Sequence, residues 1–321
     1  MKHFTIQHFG SPDAPNGQAA PNGYAAAIGF FDGIHLGHRY MLRRLQEEAA
    51  QAGLATMVIS FDRHPKQVLG RPDSPLLLTT PAEKQQLLAE AGINACTWLH
   101  FSKEMAQLTA QEFMAQILSQ QLHVRLLLVG YDHRFGRPQP GEGFEQYRTY
   151  GEALGIRVIE GDPFHNSQLP DIRISSSSIR LLLEQGNVKD AAHLLGYPYQ
   201  LSGTVVRGFQ NGRKLGFPTA NLRIDHDEKL LPHLGVYATW AIIDGERHAA
   251  MTNIGRRPTL DNGLDITVET HLFNFEADLY DRPMTIVFVD RLRDEKRFNG
   301  LEALMQQLKA DAQEAQLRLR A

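Results

Sequence analysis

The stretch YAAAIGFFDGIHLGH, residues 24–38, decides the fold of the first half of the chain. Its beginning, Tyr24 to Phe30, is a short apolar run that predicts a buried strand. His38 to Ala52 follows with apolar residues at helical spacing and stops at Gly53. In a parallel sheet, such a junction opens at the carboxyl edge of the strands, where nucleotides bind. The free N–H groups of the helix start are suited to phosphate.

The alternation of strand-like and helix-like segments continues beyond this stretch. Further strands are predicted at residues 55–61, 95–99, 124–130 and 157–159. Helices are predicted after the capping signals at Thr80 and Thr109 and over residues 145–154. This order predicts an α/β fold, a Rossmann-like parallel sheet covered on both faces. Residues 1–23 are expected to be an irregular lead-in rather than a signal peptide.

The pattern changes near residues 196–198. Short β-type runs with Gly, Asn, Asp and Pro in their turns follow at residues 203–206, 235–243, 248–252, 266–272 and 284–289. They predict a small antiparallel β-barrel or sandwich. A terminal helix is expected over residues 300–319, with Leu301, Leu304, Met305 and Leu308 packed on the barrel. Two helices are predicted between the modules, at residues 177–184 and 188–195. The predicted domains are residues 1–186 and 187–321.

The composition limits the class of protein. A chain of 321 residues suits two domains better than one. The formal net charge of -3 predicts no bulk attraction to nucleic acid or to anionic lipid, so a polyphosphate ligand needs a local site. No apolar run is long enough to predict a membrane span. Cys96 is the only cysteine, so no internal disulfide forms, which fits a reducing, cytoplasmic compartment.

Two histidines give the loop after the first strand its chemistry. His35 and His38 are predicted to face the same side of the first helical turn, where they can donate to a triphosphate and to departing pyrophosphate. Gly37 between them leaves room for a nucleotide. Taken alone, a histidine near a helix start is usually a capping or solvated residue, and a glycine there is a turn residue. The glycines do not follow G-x-G-x-x-G, which argues against an NAD-dependent oxidoreductase.

The joint pattern G-F-F-D-G-x-H-x-G-H at residues 29–38 resembles the H-x-G-H motif of nucleotidyltransferases, in the form of the prokaryotic bifunctional riboflavin kinase/FAD synthetase family. Residues 129–136, VGYDHRFG, and residues 173–180, RISSSSIR, resemble two further blocks of that family. His133 stands where the family has an aromatic residue, and Ser177 where it has threonine. The resemblance implies an ATP site for adenylyl transfer that contains Gly29, Phe30, Asp32, Gly33, His35, Gly37, His38, Asp132, Arg173, Ser175, Ser176, Ser177 and Arg180.

Some of these residues have simpler explanations. Asp132 is a candidate for an adenosine or metal contact, and a solvated loop carboxylate explains it equally well. Serines that open a helix are N-caps first, although their hydroxyls with Arg173 and Arg180 also form an anion site. The reaction that the resemblance implies has the FMN phosphate attack the α-phosphorus of ATP while pyrophosphate leaves, with Mg²⁺ assisting.

The second chemical segment is GTVVRGFQNGRKLGFPTAN, residues 203–221. Its glycines suit a phosphate-covering loop, but no G-K-[ST] follows, and alone they favour a plain hairpin. Thr219 and Asn221 carry hard oxygen ligands fit for Mg²⁺. The stretch resembles the riboflavin kinase signature, which implies that Thr219 and Asn221 hold Mg²⁺ and ATP. By this resemblance the kinase ATP site contains Gly208, Gly212, Arg213, Gly216, Pro218, Thr219 and Asn221.

A glutamate in a later strand completes this second site. Glu269 resembles the glutamate of the family's V-E-x-H-L motif, which implies a general base on the ribityl 5′-hydroxyl of riboflavin. An outward strand residue paired with a base is the alternative. Residues 253–259, NIGRRPT, and 292–298, LRDEKRF, resemble two more family segments, and Arg293 is a candidate flavin contact. A solvated charged face explains Arg293 as well.

The resemblance covers the chain from about Ala25 to Leu308. It implies a bifunctional enzyme that phosphorylates riboflavin with ATP to FMN and adenylylates FMN with ATP to FAD and pyrophosphate. The partners are then nucleotides and flavins. The alternatives are a single-activity nucleotidyltransferase and a non-catalytic flavin-binding protein. The sequence leaves open the oligomeric state, the passage of FMN between modules, the preferred redox state of the flavin and the relative rates.

Overall fold

The computed structural model of the chain describes residues 6–10, 20, 22–63, 68, 70, 74–131, 134–164, 173–208, 212, 216–258 and 264–320. The chain divides into two compact units, residues 1–174 and 175–321. The helices that follow residue 175 therefore belong to the second unit. The predicted boundary of the two catalytic modules, at residue 186, stays a prediction.

A sheet forms the centre of the first unit. Its strands are β1 (Ile6–Gly10), β2 (Tyr24–Ile28), β3 (Ala55–Phe61), β4 (Ala95–Leu99), β5 (Val124–Gly130) and β6 (Arg157–Gly161). Their order is β1-β4-β3-β2-β5-β6. Strands β2 to β6 run parallel, which confirms the predicted α/β sheet.

The expectation of an irregular lead-in is wrong for Ile6–Gly10. This strand pairs antiparallel with β4, from Ile6 opposite Leu99 to Gly10 opposite Ala95. An edge strand needs backbone hydrogen bonds to one neighbour only, and that neighbour lies far away in sequence. Local composition therefore gives little sign of it.

Helices cover the sheet at the predicted places. They are α1 (Leu36–Ala52), α2 (Pro81–Glu90), α3 (Ala110–Phe113) and α4 (Phe144–Leu154). Both predicted capping boxes are present, Thr80 with Glu83 and Thr109 with Glu112. The helix expected to continue from α3 to about residue 121 instead becomes a π-helix over Met114–Ser119. The core lies between the sheet and these helices and includes Ile28, Ile59, Phe113, Leu127 and Tyr147.

The second unit begins with two helices, α5 (Ser176–Glu184) and α6 (Val188–Leu195). Its strands are β7 (Gln200–Val206), β8 (Ala220–Ile224), β9 (Gly235–Ile243), β10 (Glu246–Pro258), β11 (Leu264–Leu272) and β12 (Pro283–Arg293). They form a closed antiparallel barrel in the order β10-β11-β8-β7-β12-β9. The predicted barrel is confirmed. Strand β8 was not predicted, because its five residues, ANLRI, include two polar ones and form no apolar run.

The last helix, α7 (Leu301–Arg320), packs on the barrel as predicted, and Leu308 of the predicted stripe takes part in this packing. Leu301 is 61% exposed, so the predicted stripe is wrong at that residue. The residues that pack against the barrel side chains Ala238 and Met251 are Leu308, Ala312, Ala315 and Leu319. Within the described residues, no helix of the chain has both the length and the apolar character needed to cross a membrane.

Candidate active sites

The loop between β2 and α1 has an unusual backbone. Phe31 and Ile34 have φ values of 51° and 36°, in the left-handed region that side chains with a Cβ rarely adopt. Gly33, with φ 83°, lies between them. Such conformations cost of order 1–3 kcal/mol each and persist only where the surroundings hold them. They cluster at binding sites, so this loop is a candidate site on backbone grounds alone.

The two predicted histidines come together at the start of α1. Their rings are stacked, with centroids 3.6 Å apart and an angle of 13° between the planes. His35 is the N-cap, and its Nδ1 accepts a hydrogen bond from the backbone N–H of His38 at 3.3 Å. An added Cβ at Gly37 would lie 3.3 Å from the His35 ring, so glycine there leaves the imidazole its place.

The environment of His38 disfavours the charged form of its imidazole. Burial is the main cause that holds its pKa well below the usual value, and the nearby His35 and Lys84 lower the pKa further. Its Nδ1 is buried and has no hydrogen-bond partner among the described residues. An anion that reached this ring would therefore meet an imidazole with unused hydrogen-bonding capacity.

Asp32 and Gly33 tie the loop to the start of α2. The carboxylate of Asp32 is 2% exposed and accepts hydrogen bonds from the backbone N–H groups of Leu78 and Thr79, each at 3.0 Å. The Thr79 hydroxyl donates to the same carboxylate at 3.1 Å and accepts from the N–H of Gly33 at 3.0 Å. This geometry makes Asp32 a residue that shapes the loop. Its predicted contact with ATP stays a prediction.

Lys84, which the sequence interpretation missed, lies under the same loop. It is 2% exposed, and its Nζ donates to the backbone carbonyl of Phe30 at 2.6 Å. Burial is the main cause that lowers its pKa to about 8, while Asp32 and Cys96 act in the opposite direction. A signal was present, because position 84 falls on the same face of α2 as the buried Leu87 and Leu88.

Apart from Asp132, the remaining residues predicted for adenylyl transfer lie near the chain boundary between the two units, at residues 173–180. In the first unit, Nη2 of Arg173 donates to the Tyr131 hydroxyl at 2.7 Å. In the second unit, Ser175 is the N-cap of α5 and accepts from the N–H of Ser178 at 3.1 Å. Ser176, Ser177 and Arg180 follow within this helix. Asp132, with His133, lies outside the described residues.

The second candidate site lies on the barrel, where Thr219, Asn221 and Glu269 meet. Glu269 of β11 stands opposite Asn221 of β8 and opposite Asn253 of β10. The Thr219 hydroxyl lies 3.4 Å from Oε2 of Glu269, a long hydrogen bond. A hydroxyl, an amide and a carboxylate thus face one small region. These three groups are the donor set expected for Mg²⁺ and phosphate.

Two glycines make room for this group. A Cβ at Gly208 would lie 2.3 Å from the side-chain amide of Asn221. A Cβ at Gly212 would lie 2.2 Å from the carbonyl oxygen of Phe217 and 3.5 Å from the Thr219 hydroxyl. Gly216 has φ 77°, which favours glycine. Two further residues were predicted for this ATP site. Arg213 lies outside the described residues, and Pro218 lies in the chain directly before Thr219.

Thr219 lies in the wall of two cavities. One, of about 440 Å³, is lined by Val205, Pro218, Thr219, Phe275, Asp278 and Tyr280, among others. The other, of about 320 Å³, lies between the barrel and α7, and its lining includes Phe217, Thr219, Asn253, Glu269, His271 and Phe298. A group transferred from one cavity to the other would pass Thr219, and Glu269 lies beside it in the lining of the smaller cavity.

His271 fixes the segment that carries Thr219. Its Nδ1 lies 2.8 Å from the carbonyl oxygen of Pro218, which can only accept, so Nδ1 carries the proton. Burial lowers the pKa of His271, and the bond to Pro218 partly offsets that effect. The ring also contacts Phe217 and Phe273, with centroids 5.1 Å and 5.6 Å away. These contacts are typical of a histidine that supports the structure of the barrel.

Arg293 lines the 320 Å³ cavity, but its guanidinium is engaged elsewhere. Its Nε and Nη2 donate to the Asp311 carboxylate of α7 at 3.0 Å and 2.7 Å, and Nη1 donates to the carbonyl of Asp294 at 2.9 Å. Asp311 is 4% exposed and also accepts from Gln307 at 2.7 Å. Arg293 therefore anchors α7, and through it one wall of the cavity. Asp311 was missed although it lies on the apolar stripe of that helix.

Comparison with known proteins decides the family. The FAD synthetase family model matches residues 17–178, and the riboflavin kinase family model matches residues 195–319. The bifunctional riboflavin kinase/FMN adenylyltransferase of Escherichia coli K12 is 36% identical to this chain, over 92% of each chain. That of Listeria monocytogenes is 33% identical to this chain, over 90% of each. The chain belongs to the bifunctional riboflavin kinase/FMN adenylyltransferase family. The predicted family is thereby confirmed.

The likeness extends to the three-dimensional fold. A crystal structure of a Streptococcus pneumoniae protein described as a macrolide-efflux protein has a TM-score of 0.83 and 32% identity to this chain. The match covers 92% of this chain and 94% of that one. Both units of this riboflavin kinase/FMN adenylyltransferase family member thus have counterparts in a solved structure.

Proposed function

We propose that the chain makes FAD in two steps. The barrel transfers the γ-phosphate of ATP to riboflavin and gives FMN, and the α/β unit transfers AMP from a second ATP to FMN and releases pyrophosphate. The observation that carries this proposal is that Thr219 lines two cavities and lies 3.4 Å from Glu269, which lines the smaller of them. The stacked pair His35 and His38, on the strand-to-helix loop of the other unit, supports the second activity.

In the kinase step, riboflavin would occupy the cavity against α7 and ATP the cavity lined by Tyr280. Glu269 would accept the proton of the ribityl 5′-hydroxyl as that oxygen attacks the γ-phosphorus. Asn253 lines the same cavity as Glu269 and would orient the hydroxyl. The wall formed by α7 would keep water away from the reacting oxygen.

The residues at this site fit Mg²⁺. The Thr219 hydroxyl, the Asn221 carbonyl oxygen and the Glu269 carboxylate are hard oxygen ligands, and the missing Cβ of Gly208 gives the Asn221 side chain its place. We assign Thr219 and Asn221 to the metal and its nucleotide. When bound, Mg²⁺ would neutralise charge on the transferring phosphate.

In the adenylyl step, the phosphate of FMN would attack the α-phosphorus of ATP. His35 and His38 would donate to the phosphates as charge develops on departing pyrophosphate. The helix start behind them adds backbone N–H groups. Arg173, in the same unit, would bind further phosphate oxygens. The assignment of Ser175, Ser176, Ser177 and Arg180 to the nucleotide stays a prediction from the family resemblance.

Labelled ATP separates the two reactions in one experiment. With riboflavin, Mg²⁺ and γ-labelled ATP, label is expected in both FMN and FAD, because the transferred phosphate remains in FAD. With α-labelled ATP, label is expected in FAD alone. FMN without FAD would indicate a kinase only. FAD formed from supplied FMN, with no product from riboflavin, would indicate a single-activity nucleotidyltransferase, and binding of flavin without any product would overturn the proposal.

The remaining assignments concern the surroundings of the enzyme. ATP, riboflavin and FMN are its proposed small-molecule partners, and the cytoplasm, where ATP is plentiful, is its proposed location. No nucleic-acid or membrane partner is proposed. The net charge of -3 supports this choice, because it gives no general attraction to polyanions.

A further inference from the structure

The loop from Gly29 to His38 needs groups outside itself to keep its shape. Its left-handed residues Phe31 and Ile34 would relax to ordinary φ values in a free chain. The surroundings hold it at three points: the Phe30 carbonyl, the Asp32 carboxylate and the N–H of Gly33. The first of these points is held by two side chains from neighbouring elements.

The Phe30 carbonyl accepts from Lys84 Nζ at 2.6 Å and from the Ser60 hydroxyl at 3.1 Å. Nζ also lies 4.0 Å from the centre of the Phe30 ring and 5.0 Å from that of Trp98. The ammonium group is thus enclosed by one residue of the loop and one residue of β4. A charge-assisted bond of this length is stronger than the neutral bond from Ser60.

This position is an unfavourable one for a lysine. Position 84 is in the first turns of α2, close to the positive end of the helix dipole, and the side chain is 2% exposed. Burial accordingly lowers the pKa of Lys84 to about 8. The charge of Asp32 favours the cation, and Asp32 is itself a loop residue. The groups that stabilise the ammonium therefore belong largely to the loop, and not to α2.

Lys84 is also electrostatically close to the histidine pair. It lowers the pKa of His38, as a neighbouring positive charge does. A polyphosphate bound at His38 would experience the same charge as an attraction. In a site that excludes water, a fixed charge of this kind stabilises an anion more strongly than an exposed lysine does.

We propose that Lys84 is a positioning residue for adenylyl transfer, which fixes the Phe30 carbonyl and supplies a buried positive charge behind the loop that binds the ATP phosphates. This inference rests on the proposed function of the first unit. It extends the site by a residue from a different helix, which touches the loop and not the substrate.

The test compares Lys84→Met in the full chain with wild type, after wild type has been shown to form FAD from supplied FMN. Loss of a charge-assisted hydrogen bond is expected to raise the KM for ATP in FAD formation by about tenfold or more. The KM for FMN and both kinase constants should stay within about twofold of wild type. Lys103→Met, which replaces an exposed lysine of the same unit, serves as the control and should leave all constants unchanged.

A raised KM for ATP with unchanged kinase constants distinguishes a positioning role of Lys84 from a simple loss of folded protein. A smaller folded fraction lowers kcat and leaves KM for ATP unchanged, and that result would overturn the proposal, as would wild-type constants. If Lys84→Met does not fold, Ser60→Ala decides, because it removes the other donor to the same carbonyl. A KM for ATP raised at least about twofold supports the proposal, and an unchanged one overturns it. A wild type that forms no FAD overturns the proposed function and this inference together.

Discussion

The hydroxyl of Thr219 lies 3.4 Å from Oε2 of Glu269, at the point where two cavities of the barrel meet. Each residue comes from a different strand region, and the pairing of β8 with β11 brings them together. Thr219 is the proposed nucleotide ligand and Glu269 the proposed base, and direct transfer of phosphate to a hydroxyl requires two such groups side by side.

Replacement of Glu269, the proposed base, should abolish FMN formation and leave FAD formation intact. Glu269→Gln keeps the size of the side chain and removes its ability to take a proton, so FMN formation is expected to fall by about 10²–10⁴-fold. FAD formation from supplied FMN should stay at the wild-type level. Both rates are read by chromatography of the flavins. Glu246→Gln, an exposed residue of the same barrel, is the control. Loss of both activities in Glu269→Gln would refute the separation of the two modules.

The histidine pair should show the reverse behaviour. With His35→Ala and His38→Ala combined, FAD formation is expected to fall by at least about 100-fold, because donors to the charge that develops in the reaction are lost. Riboflavin phosphorylation in the same chain reports whether the protein is folded and should remain unchanged. Wild-type production of FAD by the double variant would rule out the assignment of this loop.

Sequence alone was sufficient where the chemistry is local. His35, Gly37 and His38 lie within one turn, so their spacing predicts that the two imidazoles face the same side. Thr219 and Asn221 are two residues apart on one segment. The spacing of Lys84 and Asp311 on apolar helix faces indicates that they are buried, but not what they bind. Their partners, Phe30 and Arg293, reach them only through tertiary packing. The edge strand β1 and strand β8 were missed for the same reason. Pairing with a neighbouring strand keeps them extended, and their own composition does not indicate a strand.

The ion pair between Arg293 and Asp311 should control riboflavin binding through α7. Asp311→Asn removes the charge of a residue that is 4% exposed and leaves the guanidinium partly buried without its counterion. Because Arg293 retains 18% side-chain exposure, we expect a loss of about 1–3 kcal/mol in unfolding free energy, below the figure for a fully buried pair.

The same variant should raise the KM for riboflavin, since α7 forms a wall of the proposed flavin cavity, and should leave FAD formation from FMN unchanged. Thermal unfolding and kinase kinetics measure the two effects. Glu314→Gln, on the same helix but in an exposed pair with Arg318, should change neither quantity. A normal KM for riboflavin in a destabilised Asp311→Asn would show that the pair supports the fold and not the cavity.

Cys96 should be inert in the native protein. It is 5% exposed, and burial raises the pKa of its thiol to about 12, against the opposing effect of Lys84. At pH 8 only about one thiol in ten thousand is then ionised, and the thiolate is the reactive form. A disulfide reagent should release no chromophore from native protein and one equivalent per chain in denaturant, since the chain has one cysteine. Rapid reaction of the native protein would show that β4 opens readily.

Ionisation of the Cys96 thiol should lower the stability of the protein in alkali. Its native pKa of about 12 lies above the usual value of 9.0, so between these limits the native state binds more protons than the unfolded state. The stability that this thiol contributes is therefore fully present below about pH 9 and is lost as the pH rises toward 12. Cys96→Ala removes the titrating group, and its unfolding free energy should fall less steeply with pH in that range than that of wild type. Urea titrations at a series of pH values measure both slopes, and equal slopes would mean that the thiol ionises in the folded protein as easily as in the unfolded chain.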